Sequence, residues 1–177
     1  MMTLADLKSI TTENWHDIDK STKAWFAFRF IKEDSALWLE WFSGPKLETK
    51  VPAEVAILFE VTRGAMICGW FFYPLLTLGV EQCYRLLDTG TRLRRKQLDI
   101  PTVAEKKNAN KGNTSFKENA AALIKHGLIS KADEVRWEAA RNLRNWSSHP
   151  ERQSLYDPGQ AHKTLELVAE RLNDLFR

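Results

Sequence analysis

Residues 65–96 read AMICGWFFYPLLTLGVEQCYRLLDTGTRLRRK, and this stretch decides the fold. It begins apolar on nearly every side and then becomes amphipathic, with a helically spaced apolar series formed by Tyr84, Leu86, Leu87 and Leu93. Pro74 is a candidate for a kink, because proline removes a backbone donor and crowds the preceding turn. We therefore predict a long central helix on which the remaining helices pack.

The residues before this stretch predict two more helical segments. Residues 21–42 predict a helical hairpin or a bent helix, with a break near Asp34 and a stop at Gly44. A further helix is expected to begin after Pro52, since the first turn of a helix tolerates the missing amide hydrogen. Gly64 is expected to interrupt that helix.

Three helices are predicted after the central one. Ser115 and Glu118 have the spacing of a capping box, so they mark the start of the first. The second begins near Ser130 and ends before Pro150, which disfavours a helical conformation of its predecessor. The third begins at Asp157, and residues 98–114 form a polar, basic connection before the first of the three.

Apolar residues recur every three or four positions in the last two helices, which predicts their inward faces. The expected buried stripes are Val135, Ala139, Leu143 and Trp146 in one helix, and Leu165, Val168, Leu172 and Leu175 in the next. No short run alternates cleanly between apolar and polar residues as a strand would. The fold class predicted is all-α, an antiparallel helical bundle over residues 51–177. Residues 1–50 are predicted to be a helical extension whose many aromatic side chains pack in the core or, in the alternative, cover the dimer groove or dock a partner.

Composition and motifs exclude several classes of protein. Two cysteines are too few for a disulfide framework or a four-thiolate zinc site, which favours a reducing compartment. The N-terminus lacks the pattern of a signal peptide, and the uncharged run 65–80 is shorter than the roughly 20 residues of a spanning helix. Walker, GxGxxG, GxSxG and HExxH motifs are absent from the sequence. We therefore expect a cytoplasmic protein with no membrane segment, no metal and no cofactor.

Positive charge is concentrated in the second half of the chain. Residues 1–90 carry a net charge of −3 and residues 91–177 a net charge of +6. This half is suited to a polyanion, although ordinary charged helix surfaces explain the same count equally well. The basic side chains that we expect to contact phosphates, if RNA is bound, are Arg92, Arg94, Arg95 and Lys96, followed by Lys106, Lys107 and Lys111.

One segment gathers the groups needed for acid–base chemistry on a phosphate. Residues 141–150 read RNLRNWSSHP, at the predicted end of a helix. This pattern resembles the signature of the HEPN superfamily, an Arg and a polar residue followed by a His, represented here by Arg144, Asn145 and His149. The resemblance extends to residues 73–97, which are similar to the long core helix of that superfamily, and to residues 116–149, which are similar to the helical hairpin that presents the signature.

The resemblance implies a homodimeric endoribonuclease of a bacterial toxin–antitoxin or phage-defence system, with an antitoxin or defence protein as a further partner. It implies metal-independent cleavage of RNA in a composite groove between two protomers. His149 then serves as general acid or base, because an unperturbed imidazole has a pKa of about 6.5. Arg144 holds the phosphoryl oxygens through its charged, forked guanidinium, and Asn145 orients the phosphate or the imidazole.

Other roles and a simpler explanation remain open on the sequence alone. Arg141 is placed to add a phosphate contact, and Glu81 and Ser148 are candidate supporting residues. An ideal helix puts Arg144 and His149 about 140° apart, so the helix must unwind before Pro150 for the two to converge. In the alternative, these residues merely complement the end of a helix, and the dimer binds RNA, a nucleotide or a protein without cleaving.

Overall fold

The structure is a computed structural model that describes residues 7–29, 32–102, 114–147 and 155–177. These residues form seven α-helices, one short 3-10 turn and no strand, so the all-α prediction is confirmed. The helices are α1 (Lys20–Phe28), α2 (Ser35–Ser43), α3 (Ala53–Cys68), α4 (Leu75–Gln97), α5 (Phe116–Lys125), α6 (Glu134–Ser147) and α7 (Pro158–Leu175), with the 3-10 turn at Lys131–Asp133.

Helix α4 is the element on which the others pack, since it contacts α3, α5, α6 and α7. Two glycines allow its closest approaches. A methyl group at Gly79 would lie 2.5 Å from Met66 Cγ of α3, and one at Gly90 would lie 2.6 Å from Leu172 Cδ2 of α7. Because real side chains do not approach so closely, these glycines set the distance of α4 from its two main neighbours.

The predicted helix over residues 65–96 is in fact two helices. Helix α3 continues through Gly64 to Cys68, and the chain turns before α4 begins after Pro74. Asp19 holds this turn, because its amide donates to Trp70 O at 2.8 Å and its carboxylate accepts from the Tyr73 amide at 3.1 Å. The predicted interruption at Gly64 was wrong. Pro74 ends the turn rather than kinking a helix, as suits a residue without an amide hydrogen.

Two predicted helix starts and the predicted break near Asp34 are confirmed by hydrogen bonds at helix caps. Asp34 accepts from the Ala36 amide at 2.8 Å at the start of α2. Ser115 and Glu118 form the predicted capping box of α5. Asp157 caps α7 in the same reciprocal way through Gln160. These bonds satisfy amides that have no partner within their own helix.

The predicted inward face of α6 was wrong. Val135 and Leu143 are 74% and 42% exposed, and Ala139 is exposed as well. The buried face instead carries Trp137 and Ala140. A Trp ring buries more apolar area than Val or Leu, so the indole determines which face turns inward. The stripe of apolar residues spaced four apart is consequently left on the surface.

The stripe predicted for α7 is confirmed, since Leu165, Val168, Leu172 and Leu175 are all buried. Helices α1 and α2 complete the same core with Phe26, Trp38 and Phe42. Trp38 Nε1 donates to Ile67 O of α3 at 3.0 Å, which joins the N-terminal hairpin to α3. Core packing does not extend to every aromatic residue of the extension, because Trp15 and Phe28 are 60% and 78% exposed.

Within the described ranges, no helix has the length and apolar character needed to cross a membrane.

Arg95 is buried, so its predicted contact with RNA was wrong. It is 4% exposed, its Nε donates to Asn119 Oδ1 at 2.7 Å, and a terminal nitrogen donates to Ile100 O at 2.7 Å. The other terminal nitrogen lies 3.4 Å from Thr114 Oγ1. These bonds compensate the guanidinium for lost hydration and join the end of α4 to the start of α5.

The burial of Arg95 predicts a large loss of stability in Arg95→Ala. The substitution leaves Ile100 O without its guanidinium donor and leaves Asn119 Oδ1 with only the bond from Thr114 Oγ1, and a stranded buried group costs about 1–3 kcal/mol. The exposed Arg92 is the matched control, and Arg92→Ala is expected to change the free energy of unfolding by less than about 0.5 kcal/mol. Urea unfolding followed by circular dichroism measures both. Similar small changes in the two variants would contradict the structural role of Arg95.

Candidate functional site

A groove of about 380 Å³ lies where the second half of α4 meets the start of α5 and the end of α6. Three residues predicted for the site, Arg141, Arg144 and Asn145, line it together. The remaining lining residues are Asp88, Thr114, Ser115, Phe116 and Lys117. The fold thus brings residues of the predicted signature next to groups from two other helices.

Arg144 is held at this groove by an acid that sequence reasoning missed. A terminal nitrogen of Arg144 lies 3.7 Å from Asp88 Oδ2, and the other donates to Asn145 Oδ1 at 3.4 Å. Burial raises the pKa of Asp88, while the positive charges of Arg144 and Arg92 oppose that rise. One sequence signal pointed to this residue, since Asp88 is the only acid between Glu81 and the end of α4.

The groove is positive overall and is suited to an anion. Lys117, Arg141 and Arg144 contribute three cationic side chains against the single carboxylate of Asp88. The N-terminus of α5 also opens here, with Ser115 as its cap, and the amides of a first helical turn carry partial positive charge. Arg141 is oriented by Glu138 at 3.2 Å, so its guanidinium is held along α6. This combination suits the oxygens of a phosphate group.

The other half of the predicted signature lies outside the described residues. His149 and Ser148 belong to the range 148–154, and Lys106, Lys107 and Lys111 belong to the range 103–113. His149 follows Arg144 by five positions, so chain length alone keeps their α-carbons within about 18 Å. The convergence of His149 and Arg144 on one phosphate therefore stays a prediction.

The remaining predicted residues lie away from the lining of the groove. Glu81 is half-buried on α4, two turns before Asp88, and burial raises its pKa against the opposing charge of Arg85. Arg92 and Lys96 are exposed, with Arg92 one turn beyond Asp88. Arg94 instead packs over the Phe176 ring at 5.7 Å, near the C-terminal residues. No three His, Cys, Asp or Glu side chains meet as a potential metal-ligand set in the part of the chain that the structure describes.

The raised pKa of Asp88 predicts a pH-dependent gain of stability in Asp88→Asn. The folded protein holds the Asp88 proton to a higher pH than the unfolded chain does, so ionisation costs stability as the pH rises through this interval. Asparagine removes that cost, and the melting temperature of Asp88→Asn relative to wild type is expected to increase from about pH 4 to pH 7. Thermal unfolding across this range provides the measurement.

Asp133 supplies a control of opposite sign for this prediction. Hydrogen bonds from Ser130 and Arg136 lower the pKa of Asp133, so its ionised form favours folding. A lowered pKa acts on stability below the ordinary aspartate value of about 4, so the melting temperature of Asp133→Asn relative to wild type is expected to fall as the pH rises from about 2 to about 5. A common sign in the two variants would contradict the assigned environment of Asp88.

Comparison with protein-family models, with curated proteins and with solved structures found no match to this chain. The resemblance to the HEPN signature, carried by Arg144, Asn145 and His149, stays a prediction from the sequence.

Proposed function

We propose that the protein is a HEPN-like endoribonuclease that cleaves RNA without a metal ion at the groove lined by Arg144. The observation that carries this proposal is the meeting of Arg141, Arg144 and Asn145 with Lys117 in one net positive groove. A groove of this charge suits the RNA backbone, and His149 follows the same helix in sequence.

The proposed reaction is an attack by the RNA on its own backbone. A base removes the proton of a 2′-hydroxyl, the 2′-oxygen forms a bond to the adjacent phosphorus, and the bond from phosphorus to the 5′-oxygen breaks. An acid then protonates the departing 5′-oxygen. His149 serves as the acid or the base, and Arg144 stabilises the charge that develops on the phosphoryl oxygens.

Asp88 acts in this scheme as a positioning residue. Its carboxylate lies beside Arg144 and restricts the guanidinium to the groove, which lowers the cost of ordering that side chain when phosphate binds. Asn145 contacts the same guanidinium from α6. The phosphate therefore meets an arginine that is already oriented.

A second surface of α6 supports the proposed homodimer. Val135, Ala139 and Leu143 form an exposed apolar stripe on the helix that carries Arg144. Covering such a stripe with a second copy removes apolar area from water and brings two copies of α6 together. We propose that the resulting dimer acts in the cytoplasm as a toxin or phage-defence component, with an antitoxin or another defence protein as its partner.

The same groove also supports a non-catalytic alternative. Lys117, Arg141 and the N-terminus of α5 bind a phosphate without any contribution from His149. In this alternative the protein is a dimeric module that binds RNA, a nucleotide or a phosphorylated protein. Arg144 then contributes affinity, and His149 only complements the end of a helix.

RNA cleavage in EDTA by wild type and three variants separates the two functions. We expect Arg144→Ala to lower the rate about 10²–10³-fold and His149→Ala about 10²–10⁴-fold, because each loses an interaction made in the transition state. Arg136→Ala is the control, since Arg136 is an exposed arginine on α6 that pairs with Asp133 outside the groove. Equal rates in all four proteins would overturn the proposed site. Weaker RNA binding by Arg144→Ala without cleavage by the wild type would favour the binding module.

A further inference from the structure

A smaller hollow opens between α5 and α6 beside the groove. It encloses about 100 Å³, and three residues, Phe116, Lys117 and Arg141, line both spaces. A ligand held by Arg141 at its phosphate therefore has the hollow directly next to it. The hollow differs from the groove in chemistry, because its walls are mainly apolar.

The apolar wall is built mainly from two buried aromatic rings. Phe116 and Trp137 are 6% and 5% exposed, and their ring centroids lie 6.2 Å apart in an edge-to-face arrangement. The Arg171 guanidinium lies 5.8 Å from the Trp137 ring centroid, which helps to fix the indole. Ile124 adds an aliphatic surface to the same wall. A small, fixed, apolar hollow favours a planar ring, since such a ring loses little conformational freedom on binding.

The rim of the hollow carries two carboxylates. Glu134 and Glu138 lie one turn apart on α6, and both line the hollow. Glu138 is bonded to Arg141, whereas Glu134 makes no ion pair among the residues that the structure describes. Carboxylates repel phosphate but accept hydrogen bonds from the amino groups of bases. The lining of the hollow carries two carboxylates and the two shared cations Lys117 and Arg141, so it is neutral overall, whereas the lining of the groove is positive. Glu134 is therefore available to accept from an amino-bearing base whose phosphate lies in the groove.

We propose that the hollow binds one RNA base, on the nucleotide whose phosphate lies beside Arg141 and Arg144. Glu134 accepts from the amino group of guanine, adenine or cytosine, and uracil is disfavoured because it has no amino group. This inference rests on the proposed function in one respect, that the ligand of the groove is RNA. It adds a base preference that the signature residues do not provide.

The test measures binding of labelled oligonucleotides that the proposed reaction cannot cut. The probes are fluorescein-labelled 2′-deoxy hexamers in which every position is abasic except one, which carries guanine, adenine, cytosine or uracil. Fluorescence anisotropy is expected to show roughly tenfold tighter binding of the best amino-bearing probe than of the uracil probe, as one good base contact gives. Equal affinities for all four probes would overturn the inference.

Two variants locate the preference in the hollow. Ala121 is exposed on α5 and lines the hollow, so Ala121→Trp fills the space and is expected to abolish the preference while leaving a fully abasic hexamer bound as before. Ala53→Trp, at the exposed start of α3, is the matched control and is expected to retain it. Glu134→Gln keeps the hollow open but weakens the acceptor, and we expect it to reduce the preference. A preference that persists in both Ala121→Trp and Glu134→Gln would overturn the inference.

The base preference in binding is measured independently of cleavage, because the probes lack the 2′-hydroxyl that would attack phosphorus. RNA cleavage with no base preference in binding would overturn the hollow as a base site and leave the ribonuclease proposal standing. A base preference that Ala121→Trp removes, in a protein that cuts no RNA, would support the hollow and overturn the catalytic function.

Discussion

The close approach of α4 to α3 and α7 is the constraint on which the rest of the structure depends. Gly79 and Gly90 leave no room for a side chain at these two contacts, so α4 is fixed in depth and in rotation. With the helix fixed in this way, Asp88 lies at the surface that faces Arg144 of α6. A change in the packing of α4 would therefore move the carboxylate that orients the arginine.

Helix α4 also positions the start of α5, which forms another side of the groove. The bonds of Arg95 to Asn119 and Thr114 hold the start of α5 against the end of α4, and Thr114 lines the groove directly. A buried guanidinium thus positions the first turn of α5, which lines the groove together with the half-buried Arg141 and Arg144. Core and groove share one hydrogen-bonded network, so the stability of the fold and the geometry of the groove are coupled.

Local signals were enough to predict the helix starts at Ser115 and Asp157 and the break near Asp34, because these side chains act on amides within three residues of themselves. Local signals could not predict which face of α6 is buried, since that face depends on the contacts of Trp137 with Phe116 and Arg171. Arg95 looked like one more cation in a basic run. Leu87, Thr91 and Arg95 follow one another at intervals of four residues, so Arg95 lies on the same face of α4 as the buried Leu87 and Thr91. The pairing of Asp88 with Arg144 joins residues far apart in sequence, so the isolated acid on α4 indicated Asp88 but not its partner.

The central proposal is that the groove promotes attack by a 2′-hydroxyl of RNA on the neighbouring phosphorus. The chemical ends of RNA cut in EDTA test this claim directly. The proposed reaction predicts a 2′,3′-cyclic phosphate on one fragment and a 5′-hydroxyl on the other, because the 2′-oxygen stays bonded to phosphorus when the 5′-oxygen leaves. Fragments that end in a 3′-hydroxyl and a 5′-phosphate would contradict it, since they require attack by water from outside the chain.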